Sequence, residues 1–453
     1  MSVFSWTLHG DGKNVAPSEA VAPDERLTYP RTLGIGAQHV LAMMGSTLLV
    51  PALTGMPAAT ALFFSAIGTA LFLVITRNRV PSYLGSSFAF LAPLAAAGVT
   101  NENAPLDAET IGRGLGGIVL AGALLAIVGL IVARWGTRWI EVSMPPVVTG
   151  TIVAMIGLNL AGVAKNNWVN GPWTALVTLA AVLLAMVVFK GFLGRIAILF
   201  GAVVGIVFSL IRGEWDVPLD GFGGATGKEV IAAADWFGIP TFHTPTFDGT
   251  VLVAFLPVVI ILIAENIGHL KSVSAMTDRN LDPETGRALF ADGVATAIAG
   301  VGGGAGTTTY AENIGVMAAT RVYSTLAYWA AAVFALLLSL SPKFGAAVAV
   351  LPPGVLGGLA TLLFGLIAIL GGRIWVEGNV DFKKTVNLVT AGVGIIVGTA
   401  DFVANAGSML FNGIALGTIA TLVIYHGLNW IGRLRGTTEV PATPAFIEGD
   451  ESK

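Results

Sequence analysis

Apolar stretches, each near the ~20 residues that a helix needs to cross a bilayer core, recur along this chain between short polar turns. The pattern predicts about fourteen spans, at 31–50, 58–76, 81–99, 112–134, 138–162, 171–189, 192–212, 249–271, 287–302, 304–320, 322–341, 345–371, 382–400 and 408–428. The stretches 81–99 and 287–320 are rich in Gly, Ser and Thr rather than uniformly apolar. The longest polar interruption, 213–248, carries Pro218, Pro240 and Pro245 and divides the spans seven and seven.

An odd number of spans per half means that homologous halves insert upside down relative to each other. The expected fold is therefore an all-α polytopic membrane protein with a 7+7 inverted repeat. Met144-Pro145-Pro146-Val147-Val148-Thr149-Gly150 in the fifth span is answered by Leu351-Pro352-Pro353-Gly354-Val355-Leu356-Gly357 in the twelfth. Ser86-Ser87-Phe88-Ala89 in the third is answered by Thr308-Thr309-Tyr310-Ala311 in the tenth. The paired prolines either bend their spans or start helices.

Residues 86–90 and 307–310 are better strand formers than helix formers. Spans 3 and 10 are thus predicted to be broken, each a short extended strand followed by a half-helix. Irregular backbone at membrane depth is tolerated only inside protein or along a cavity, so a site is expected at the tips of these half-helices. Free N–H groups there suit a carbonyl or an anion. The small residues also let helices pack closely.

Composition agrees with the pattern. The chain is 55% hydrophobic and only 11% charged, with mean hydropathy +0.80, whereas soluble domains carry roughly 25% charged residues. The absence of cysteine excludes disulfides and thiolate metal sites. The net charge of −3 points to no particular partner. The polar start, with Pro17, Pro23 and Asp24, lacks the features of a signal peptide and is expected to be a mostly loose tail, like the end from about Gly436.

Lys and Arg concentrate in short cytoplasmic loops. With both termini cytoplasmic, Arg77, Arg79, Arg134, Arg138, Lys190, Arg195, Lys271, Arg279, Arg287, Arg321, Arg373, Lys383, Lys384, Arg433 and Arg435 fall inside. Arg113, Lys165, Arg212, Lys228 and Lys343 fall outside.

Two acids interrupt the apolar pattern. Glu265 and Glu312 lie in matching Ala-Glu-Asn-Ile-Gly frames, 264–268 and 311–315. An ionised Asp at a helix centre costs about 2.5–3.5 kcal/mol even on the lenient insertion scale, so such acids face a cavity, a substrate or a proton path. His269 is four residues from Glu265 and on the same helix face. It is read either as a proton relay or as a packing histidine. Gln38 and His39 are expected to support broken-span backbone. Asn313 either crosslinks helices or binds substrate. Asp292 and Asp401 are read as solvated span ends. Gly300 to Ala305 formally fit a dinucleotide fingerprint, but no strand-helix-strand unit surrounds them.

Gln38-His39, Tyr83 to Phe90, Glu265-Asn266-Ile267-Gly268-His269, and Glu312-Asn313-Ile314-Gly315 with Thr320-Arg321-Val322 together resemble the nucleobase-ascorbate transporter (nucleobase:cation symporter-2) family, nearest to its bacterial uracil permeases. The likeness covers 31–430. It implies a core domain of 31–134 and 249–341, spans 1–4 and 8–11. A gate domain of 135–212 and 342–430 holds spans 5–7 and 12–14. The tails are 1–30 and 431–453, and the outer connection is 213–248. It further implies that Glu265 and Glu312 receive ring N–H groups of a base, with backbone near Phe88, Tyr310 and Ala311 completing the site. Ala311 stands where that family's uracil carriers are expected to have Gly.

The chemistry is coherent on its own terms. Uracil alternates N–H donors and C=O acceptors, carboxylates suit the former, and backbone N–H groups suit the latter. A carboxyl withdrawn from water takes up a proton more readily, so Glu265 is expected to exchange the coupling proton with His269 tuning it, while Glu312 anchors the base. No cofactor beyond the proton is expected, and no nucleic-acid partner. The expected protein is a proton-coupled uracil or related nucleobase importer of the bacterial inner membrane, working by alternating access; the family resemblance alone implies a homodimer through the gate domain. Alternatives are a xanthine or urate carrier, a uniporter, or a membrane-embedded acid-base enzyme. The last lacks a nucleophile-base pair or metal-ligand cluster.

Overall fold

The computed structural model describes residues 4–16, 19–101, 106–190, 194, 196–406 and 409–436. Arg195 and the tail beyond Gly436 lie outside the described residues. Each half runs through the same order of elements. The first half has helices Tyr29–Thr54 and Ala58–Ile75, then strand Leu84–Ser86 with the short helices Phe88–Phe90 and Leu91–Ala96. Helices Ala108–Trp135, Pro146–Asn159 continued by Ala161–Val169, Pro172–Val188 and Ala197–Ile211 follow. The second half answers with Leu256–Thr277, Thr285–Gly302, strand Thr307–Thr309 leading into helix Ala311–Thr320, then Thr325–Ser339, Pro353–Glu377, Thr385–Thr399 and Gly413–Arg435. Among the described residues, seven helices are individually long and apolar enough to cross a membrane, and others are shorter.

The two strands of the broken spans meet in antiparallel register, Leu84 with Thr309, Gly85 with Thr308 and Ser86 with Thr307. Ser87 N–H to Gly306 O (2.9 Å) and Tyr310 N–H to Tyr83 O (3.1 Å) extend the ladder. Each broken span thereby satisfies the other's backbone, which is what permits extended chain inside an apolar interior. Two half-helices start from this crossing, one at Phe88 and the other at Ala311.

Around it, Ala108–Trp135 packs along Thr285–Gly302, Thr325–Ser339 along the first two helices, and Pro353–Glu377 along Pro146–Asn159. Small residues allow the first of these approaches. A Cβ on Gly122 would come within 2.7 Å of Gly293 O, and one on Gly293 within 2.7 Å of Gly122 O, so the helices touch backbone to backbone.

Several expectations change. The paired prolines start helices, with Pro146 and Pro353 in the first turn, because a missing N–H costs nothing there. The predicted spans 138–162 and 345–371 therefore lose their beginnings to the separate short helices Arg138–Ser143 and Pro342–Ala349. The last span begins at Gly413, after a hairpin of Ala404–Ala406 with Met409–Phe411. The N-terminal segment is packed rather than loose. Val21 is fully buried and bridges Val322, Trp6 Nε1 donates to Thr325 Oγ1 at 2.8 Å, and Asp24 pairs with Arg279 at 2.6 Å. Its apolar residues Val21 and Leu27 find cover against Ala327 and Ile35, a gain that composition alone does not reveal.

Candidate functional site

The site is built where the strand crossing meets the eighth span. All three threonines of Thr307–Thr309 are tied to neighbouring helices. Thr308 Oγ1 donates to Glu265 Oε2 at 3.0 Å, Thr309 Oγ1 lies 2.8 Å from His269 Nδ1, and Thr307 Oγ1 donates to Asp292 Oδ1 at 3.1 Å. Their hydroxyls therefore join the eighth and ninth spans to the broken tenth.

Glu265 and Glu312 are both half-buried, and the residues beside them, Gly268 and Ala311, are exposed. A Cβ on Gly268 or Gly315 would meet nothing within 4 Å, so the two Glu-x-x-Gly faces border open space. Ser46 Oγ donates to Glu312 Oε1. Among the described residues, no ion pair involves either carboxylate. Two acids without a countercharge, beside open space, are poised for N–H donors or protons.

Backbone completes the polar surface. Ala311, Glu312 and Asn313 form the first turn of their helix, where N–H groups have no partner one turn back. The side chain of Tyr310 turns away: its hydroxyl donates to Ser86 O at 2.7 Å and accepts from Thr47 Oγ1 at 3.2 Å. Phe88 sits half-buried at the start of the other half-helix, edge-on to Phe364 with centroids 6.4 Å apart.

The remaining expected residues lie behind this face. His269 is held by Thr309. His39 is fully buried, stacks on Tyr328 at 4.2 Å, and receives the Asn313 side-chain amide at its ring (3.1 Å) and its carbonyl (3.1 Å). The first-span histidine thus meets a broken-span side chain, where backbone was expected. Gln38 is half-buried nearby in sequence. Asp401 is exposed and accepts from Gly413 N–H at 2.9 Å, as a solvated span end would.

Asp292 requires correction. It is fully buried in the middle of Thr285–Gly302 and accepts from Asn266 Nδ2 at 2.7 Å as well as from Thr307. Local hydropathy placed it near a span end; the strand that contacts it comes from the neighbouring span. Thr308 and Ser46 were also missed as carboxylate partners. The repeated Asn of the two Glu-Asn-Ile-Gly frames offered a signal. Asn266 and Asn313 both brace the site from behind. Among the described residues, no three His, Asp or Glu side chains gather as metal ligands would.

The model of a permease family matches residues 30–407. The chain belongs to this family, that of the nucleobase-ascorbate transporters. A relative from Escherichia coli (strain K12), provisionally named pyrimidine permease RutG, is 45% identical over 410 residues, 90% of this chain and 91% of that one. A uracil permease of the same organism is 39% identical over 428 residues, covering 92% and 94%. One from Bacillus caldolyticus is 38% identical over 418 residues, covering 88% and 92%. The protein is a multi-pass membrane transporter and not an enzyme.

Solved structures extend the likeness in fold alone. The transmembrane domain of a cyanobacterium bicarbonate transporter, BicA, aligns with TM-score 0.55 at 15% identity, over 87% of this chain and 96% of that one. SLC26A9 aligns with TM-score 0.64 at 12% identity, over 89% and 65%. The shared architecture is the 7+7 inverted repeat.

Proposed function

We propose that this permease imports uracil, or a closely related nucleobase, together with protons across the bacterial inner membrane. The observation that carries this reading is the pair Glu265 and Glu312, held by Thr308 and Ser46 beside open space with no cationic partner among the described residues. Ring N–H groups of a pyrimidine would go to these carboxylates, and a ring carbonyl to the helix start at Ala311 and backbone near Tyr310 and Phe88. Relatives named as uracil permeases support the substrate class.

Glu265 exchanges the coupling proton in this scheme, His269 tunes it from the same helix face, and Glu312 anchors the base. The proton is the coupling ion, and no other cofactor enters. Spans 1–4 and 8–11 act as a core bearing the site. Spans 5–7 and 12–14 act as a gate that rocks against it for alternating access and forms the homodimer. Both termini lie in the cytoplasm. Uptake of radiolabelled uracil into proteoliposomes, driven by an imposed inward pH gradient and competed by other bases, tests the reading. Uptake that ignores the gradient removes proton coupling, and failure of uracil to enter or compete removes the substrate.

A further inference from the structure

The 213–248 connection covers a cavity of about 390 Å³ between the ends of the first, fifth and twelfth spans. A second hollow of about 130 Å³ shares Asn101, Asn167 and Asn170 with it. That second hollow reaches Leu91, one turn into the half-helix that starts at Phe88. Neither is lined by Glu265 or Glu312, so they are distinct from the acidic site. Phe88, edge-on to Phe364, stands at the other end of that turn.

Side-chain amides dominate the polar lining. Asn101 donates its amide N–H to Ala52 O at 2.7 Å, Asn167 to Val163 O at 3.0 Å, and Asn170 to Asn166 O at 3.1 Å. With one N–H of each amide held by backbone, the side chain is fixed in place and keeps its carbonyl oxygen as an acceptor and a second N–H as a donor. Glu214, also on the lining, adds a carboxylate whose bonds from Thr174 (2.6 Å) and Arg212 (3.1 Å) both use Oε1. Trp215 and Phe222 supply aromatic surface. Polar groups of the first half and of the 213–248 connection thus converge with apolar walls that include Leu351 and Leu356 of the second half, in a volume within the ~300–1,000 Å³ range of small-molecule sites.

We propose that this hollow is an antechamber that binds a neutral planar heterocycle through its N–H groups before the central site opens to it. The proposal rests on the nucleobase reading above and adds a second binding position to it. Asn101 and Asn167 offer carbonyl oxygens to its ring N–H groups there, and Phe88 with Phe364 separates this position from the acidic one.

The natural absence of cysteine makes the test direct. Asn170→Cys supplies a single thiol in the full-length purified chain, and its rate of reaction with a maleimide is measured with and without uracil. The same measurement is made in a Glu265→Gln, Glu312→Gln background. Uracil is expected to slow labelling several-fold in both backgrounds. Protection that vanishes with the two acids replaced, or that never occurs in a chain that transports uracil, overturns the antechamber alone. A parent chain that neither binds nor transports uracil overturns the nucleobase reading and this site with it. Asn101→Cys, on the lining of the same two hollows, gives the same readout should Asn170→Cys fail to fold.

Discussion

Thr308 Oγ1 donates to Glu265 Oε2 across 3.0 Å, so a strand of the tenth span fixes the orientation of the eighth-span carboxylate. A hydrogen bond to a charged group contributes about 1.5–3 kcal/mol, equivalent to roughly ten- to hundredfold in affinity. Thr308→Val keeps the volume and removes the donor. It is expected to weaken uracil binding by about tenfold or more in calorimetric titration, while Thr308→Ser stays near the parent value.

Glu265→Gln keeps the shape and removes the exchangeable charge. Proteoliposomes carrying it are expected to exchange external labelled uracil for internal unlabelled uracil without accumulating it. Their rate should no longer respond to an imposed pH gradient, whereas the parent is expected to accumulate uracil when the outside is more acidic. Accumulation with unchanged pH dependence would remove Glu265 from the coupling step.

Asp292 accepts from both Asn266 and Thr307 in a site without solvent. Asp292→Leu strands those donors at a cost of about 1–3 kcal/mol for each group left unsatisfied. A clear fall in the Tm of the detergent-purified protein is expected, with Asp292→Asn, which keeps one acceptor, falling less. Equal Tm values for all three chains would show that the network contributes no stability.

Two glycines separate structure from binding. A Cβ on Gly85 would come within 2.5 Å of the Tyr310 ring and 2.6 Å of Thr47 Oγ1, so Gly85→Ala overpacks the strand crossing by about 1–3 kcal/mol. A Cβ on Gly268 meets nothing within 4 Å and projects beside Glu265. Gly85→Ala is expected to lower Tm and uptake together, and Gly268→Ala to raise the KM for uracil with Tm unchanged. Thermal melts and uptake on the same preparations decide both.

Much of this was legible because membranes impose strict local rules. Apolar length marks the spans, Ser-Ser-Phe-Ala and Thr-Thr-Thr-Tyr mark where spans break, although in the third span the strand is Leu84–Ser86 and Phe88–Phe90 is already helical, and a carboxylate in an apolar stretch marks a candidate site. What stayed hidden were the partners. Glu265 and His269 share a helix face, which left relay and packing roles open for the histidine, and each is hydrogen-bonded to one of two successive threonines of another span.

By itself the sequence determined the membrane class, the repeated order of elements, the broken spans and the two acids, because each depends on composition and spacing within a few turns of chain. Only the tertiary structure decided that Asp292 is buried, that Ser46 and Thr308 hold the carboxylates, and that the N-terminal segment is packed against Val322 and Thr325. Those contacts join residues far apart along the chain. A hydrogen bond across such a distance depends on where two spans cross, and hydropathy, which reads one stretch at a time, carries no record of the crossing.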